Sequence, residues 1–84
     1  MFQILVVEDD KNTARLMRAV LTHADYEVFQ ASNGQEALDL MDSQHVDLIL
    51  LDVMMPVMDG YEFTDQLRKS GDNTPILMVT ARQL

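Results

Sequence analysis

Two rhythms of apolar and polar residues alternate along the chain. Ile4-Leu5-Val6-Val7 is a short, unbroken apolar run, which predicts a strand buried on both faces. It stops at Glu8-Asp9-Asp10. From about Lys11 to Ala24 the apolar residues instead recur every three or four positions. Met17, Val20, Leu21 and Ala24 then share one stripe, which predicts an amphipathic helix with that stripe inward.

The same alternation repeats twice more and ends on a strand. Tyr26 to Ala31 has the mixed polarity of an edge strand. Asn33 is placed to cap the helix that follows, with Glu36 completing an Asn variant of the capping box. Ala37, Leu40 and Met41 form the inner stripe of that helix. Val46 to Leu51 is a third apolar run and ends at Asp52. Pro56 and Gly60 mark a loop. A third helix is predicted from about Tyr61 to Lys69, with Phe63 and Leu67 inward and Gly71 at its stop. Pro75 opens a last apolar run, Ile76-Leu77-Met78-Val79, which ends at Thr80.

The order is β-α-β-α-β-α-β. Strands separated by helices pair in parallel through right-handed crossovers. The expectation is an open α/β sheet with helices on both faces and its ligand site at the carboxyl ends of the strands.

Composition narrows the chemistry. The chain has 84 residues, 48% hydrophobic and 24% charged, a globular mixture with room for one domain. The formal net charge is −8, which disfavours direct binding of nucleic acid by this segment. There is no cysteine, so disulfides and thiolate metal sites are excluded. No apolar run is long enough to span a membrane. The first one is interrupted too early for a signal peptide, so the expected location is cytoplasmic.

Three apolar runs end directly in polar groups: Glu8-Asp9-Asp10, Asp52 and Thr80. Parallel strands bring such ends to one edge of the sheet. Carboxylates that converge there repel unless a divalent cation joins them. Oxygen ligands with no His or Cys suit Mg²⁺ or Mn²⁺ rather than zinc, and neither His23 nor His45 lies at a strand's carboxyl end. An aspartate in such a site is also a nucleophile towards phosphorus, with the metal neutralising charge on the transferring oxygens. Thr80 is placed to donate a hydrogen bond to one of those oxygens, and Ala81 leaves space beside it. Serving only the dipole of the first helix accounts well for Asp10, which follows the acidic pair, and less well for Glu8 and Asp9 at a strand end.

Three of these segments carry a family resemblance. Ile4-Leu5-Val6-Val7-Glu8-Asp9-Asp10, then Asp52-Val53-Met54-Met55-Pro56-Val57-Met58-Asp59-Gly60, then Val79-Thr80-Ala81 resemble, in order and spacing, the receiver domains of two-component response regulators. The resemblance covers about residues 2 to 82. It implies a flavodoxin-like sheet in strand order 2-1-3-4 and Asp52 as phosphoacceptor. Asp9 and Asp52 would bind Mg²⁺ directly, Glu8 directly or through water, and the backbone carbonyl of Met54 would complete the ligands. Thr80 would be the switch threonine. The implied partner is a sensor histidine kinase, and the implied parent a transcription regulator.

Residues 1–84 stop short of the family's pattern. A complete receiver has a fourth helix, a fifth strand and a fifth helix, with a phosphate-binding lysine and an aromatic switch residue. Lys11 and Lys69 match neither. The chain is therefore expected to be a truncated receiver that self-associates through the exposed edge of Ile76 to Val79. Two other functions fit less of the sequence. One is a phosphorylation-impaired interaction fragment. The other is a Mg²⁺-dependent phosphohydrolase with an aspartate nucleophile, a class that usually places two aspartates two residues apart, whereas here Glu8 holds the earlier position.

Overall fold

A computed structural model describes residues 1–52 and 58–79. Its elements are β1 (Gln3–Val7), α1 (Lys11–His23), β2 (Glu27–Ala31), α2 (Gly34–Met41), β3 (Leu48–Asp52), α3 (Gly60–Lys69) and β4 (Ile76–Val79). The strands form one sheet in the order β2-β1-β3-β4, every pair parallel. The alternating pattern predicts the parallel sheet, and the family resemblance implies its strand order. No helix of the described residues is long and apolar enough to cross a membrane.

β1 lies inside the sheet because its side chains tolerate no water on either face. Ile4, Leu5, Val6 and Val7 are all buried. Leu5 and Val7 join Ile49, Leu51, Phe63 and Leu67 in the main core, which the pleat places on one face of the sheet. Ile4 and Val6 alternate to the other. Burial of Phe63 and Leu67, four residues apart on α3, is what the helical period requires.

α1 differs from expectation in its rotation about its own axis. Ala14 is its buried residue, with Met17 and Leu21 half-buried, while Val20 is 61% exposed and Ala24 is exposed at the C-cap. At about 100° per residue, positions 14, 17 and 21 share a stripe from which 20 is turned away. Ala14 takes the buried position, although its small side chain adds little to an apolar stripe.

The strand ends are level with one another. Val7 pairs with Ala31 on one side and Leu51 on the other, so Glu8 and Asp52 leave the sheet at the same height on neighbouring strands. Val79 pairs with Asp52. β4 forms the outer edge of the described sheet, with Leu77, Met78 and Val79 exposed.

Candidate metal centre

Each acidic residue reaches the site through a local cause. β1 runs out of apolar residues at Val7, and the backbone N–H of Glu8 still donates to the carbonyl of Ala31 at 3.0 Å, which extends the β1–β2 ladder by one step. Asp10 then starts α1. Its carboxylate accepts from the backbone N–H of Thr13 at 3.0 Å and from the Thr13 hydroxyl. Asp10 is thus committed to the helix N-cap, as its place after the acidic pair suggests, while Glu8 and Asp9 remain at the strand end. Asp52 ends β3.

The structure brings Glu8, Asp9 and Asp52 together. One carboxylate oxygen from each lies within 4.8 Å of the others. Met54 and Thr80, the other two residues expected at the site, fall outside the described residues.

Burial and a neighbouring charge act on the cluster together. The carboxyl of Glu8 is pushed up from 4.5 to about 7, chiefly by burial, against a backbone hydrogen bond from Asp10 that pulls it down. Hydrogen bonding to Asp52 and Asp9, and the charge of Asp52, raise it further. Burial thus makes the charged form of Glu8 costly, and the neighbouring Asp52 charge adds to that cost. Three carboxylates without nitrogen or sulfur are a donor set for a hard divalent cation such as Mg²⁺. An open cleft of about 500 Å³ reaches Glu8 and Asp9 between α1 and the start of α2, flanked by Lys11, Arg15, Arg18 and Ser32. The arrangement can hold a small cation against a carboxylate nucleophile and admit a ligand from solvent.

Periodicity overlooked two features beside the cluster. Asp59 caps α3, its carboxylate accepting from the N–H of Glu62 at 2.8 Å. Its spacing, an aspartate three residues before a glutamate, was the available signal. The second is a close contact between Gly34 and the side chain of Met58, for which the sequence holds no signal, since the two residues are joined only by the fold.

Known proteins share this fold. The family model of the response regulator receiver domain matches residues 4–84. The response regulator MprA of Mycolicibacterium vanbaalenii is 49% identical over 80 residues, covering 95% of this chain and 35% of that protein. MprA of Mycobacterium avium is 48% identical over the same length. The chain thus spans about a third of the length of the curated relatives it matches.

Among solved structures, the receiver domain of the Francisella response regulator 1452 superposes with a TM-score of 0.91 at 33% identity, over 96% of this chain and 67% of that one. TrrA of Thermotoga maritima, solved in complex with Mg²⁺ and BeF, gives 0.90 at 38%, over 96% and 70%. With a family model matched over residues 4–84 and a shared sheet topology, the chain belongs to the response regulator receiver domain family.

Proposed function

We propose that this receiver domain takes a phosphoryl group on Asp52 from the phosphohistidine of a sensor kinase, within a response regulator that controls transcription in the cytoplasm. The observation that carries this reading is the meeting of Asp52 with Glu8 and Asp9, from separate strand ends, within 4.8 Å. A carboxylate oxygen of Asp52 attacks phosphorus. The bond from phosphorus to the histidine nitrogen breaks, and the imidazole leaves with its electron pair and takes up a proton. The product is an acyl phosphate.

Glu8, Asp9 and Asp52, with the backbone carbonyl of Met54, are the residues that would hold Mg²⁺, and Thr80 would donate to a phosphoryl oxygen. Bound Mg²⁺ offsets negative charge on the transferring oxygens. Glu8 and Asp9 serve by holding charge and oxygen donors beside the nucleophile, and Asp10 by keeping α1 in place.

Incubation with acetyl phosphate and Mg²⁺ tests the reading by mass spectrometry. A phosphoryl adduct is expected in the wild type and absent in Asp52→Asn or after chelation. Mg²⁺ binding with no adduct favours a non-phosphorylated interaction module. Turnover of a generic phosphate ester favours a phosphohydrolase. The self-association expected from the sequence is supported by Leu77, Met78 and Val79, exposed along the outer edge of the described sheet. Sedimentation is expected to show a dimer that grows with concentration, and a monomer at every concentration would end that part of the proposal.

A further inference from the structure

The acidic connection between β1 and α1 hangs on two neighbouring residues of β2. At its near end, the backbone N–H of Glu8 donates to the carbonyl of Ala31 at 3.0 Å. At its far end, on the fourth residue of α1, the carbonyl of Ala14 accepts from the side-chain amide of Gln30 at 3.1 Å. The ring is closed from within. The N–H of Ala14 donates to the carbonyl of Asp10 at 2.9 Å, and the N–H of Asp10 donates to Oε2 of Glu8 at 3.2 Å. Bonded residues thus follow one another from the Gln30 amide to a carboxylate oxygen of the acidic cluster. Glu8, Asp9, Ala14, Gln30 and Ala31 also line the open cleft beside that cluster.

Little else holds this end of α1. Ala14 is its buried residue, and the half-buried Met17 and Leu21 lie one and two turns further on. A single methyl group removes little apolar area from water, so the polar tie at Ala14 adds to a weak apolar one. The bond is part-buried, where water competes with it less than in the open. A backbone carbonyl carries two lone pairs, so the Gln30 amide can bind Ala14 without taking the place of a helix bond.

We propose that Gln30 is a positioning residue for the cation site. Its amide holds the start of α1 at a set distance from β2. Together with Ala31 it fixes both ends of the segment that carries Glu8 and Asp9. Gln30 supplies no ligand atom. It acts on Glu8 through Ala14 and Asp10, and on Asp9 through the span of the connection. The inference rests on the Mg²⁺ reading given above.

Calorimetric titration with Mg²⁺, with urea denaturation and amide hydrogen exchange in its absence, tests the residue in four proteins: wild type, Q30M, Q30A and L67A. Q30M keeps the length of the side chain and loses the donor. Gln30 is exposed on an edge strand, so both of its variants are expected to fold. Each is expected to bind Mg²⁺ about threefold more weakly, within the roughly tenfold ceiling that one neutral hydrogen bond sets. The amides of Glu8 and Ala14 are expected to exchange faster in both, while those of α3 change little. Leu67 is 3% exposed in the core, on α3 and outside the ring. L67A is expected to lose stability in urea and to keep its Mg²⁺ affinity, as for an independent site.

Q30M and L67A decide between positioning and general softening. Wild-type affinity in Q30M, or an equal loss in L67A, overturns the proposal. Unchanged exchange at Glu8 and Ala14 in Q30M overturns it too, because the ring then holds nothing. A wild type that binds no Mg²⁺ refutes the reading of the site itself, and the role of Gln30 there with it. Faster exchange in Q30M would then mark the failure as that of the site and not of the ring.

Discussion

Asp47 ties two strands together with one carboxylate. One oxygen accepts from the backbone N–H of Gln3 at 2.8 Å, and the other meets Nε2 of His45 at 2.8 Å. The N–H of Asp47 in turn donates to the carbonyl of Gln3 at 2.8 Å. The start of β1 is thus fixed in register with the approach to β3, and that register puts Glu8 level with Asp52 five residues later. Asp47→Ala leaves a part-buried N–H without its side-chain acceptor. We expect it to lower folding stability, read as a lower urea midpoint at unchanged slope. Phe63→Ala, which empties a fully buried position in the core, is expected to cost about 3–5 kcal/mol. Neither side chain belongs to the acidic cluster, so Mg²⁺ affinity of the folded fraction should hold in both.

Among the elements, each described helix begins on an acidic or amide side chain: Asp10 for α1, Asn33 for α2 and Asp59 for α3. The carboxyls of Asp10, Glu36, Asp47 and Asp72 are all held below their ordinary values, chiefly by hydrogen bonds from Thr13, Ser32, Gln3 and Thr74 respectively. A carboxylate that is a stronger acid in the fold than in the unfolded chain stabilises the fold above its unfolded pKa, and the benefit fades as pH falls through the folded one. The affected window lies below the ordinary values of 3.8 and 4.5. Thermal scans from pH 5 downward should show the melting temperature falling, with a shallower fall in Asp47→Asn.

These elements were largely legible in the sequence. Apolar runs end where strands end, because a parallel strand covered on both faces must be apolar throughout. The rotation of α1 was not legible, since Ala14 is too small to weigh in an apolar stripe. The reach of Glu36 was legible only in part. It was expected to answer Asn33 and lands one residue earlier, on Ser32.

At the level of the whole molecule, the acidic triad could be read in advance because strand ends of a parallel sheet share one edge. The Gly34–Met58 contact could not, because it depends on how the start of α2 meets the residue two before α3. The triad also sets local function against stability. Three carboxylates held within 4.8 Å repel one another when no cation is present, and the charge of Asp52 adds to the burial that chiefly raises the Glu8 carboxyl. Asp52→Asn removes one charge and leaves the shape. Without Mg²⁺ the variant should be more stable than the wild type. A gain of about 1 kcal/mol corresponds to about 4–8 °C in a domain of this size. With Mg²⁺ the order should reverse. Saturation at a hundredfold excess over Kd adds about 2.7 kcal/mol to a protein that binds the ion only when folded, and a variant without the Asp52 carboxylate forgoes most of it. Melting curves of both proteins, with Mg²⁺ and with a chelator, should therefore cross. Parallel curves would mean that the carboxylates neither strain the fold nor share an ion.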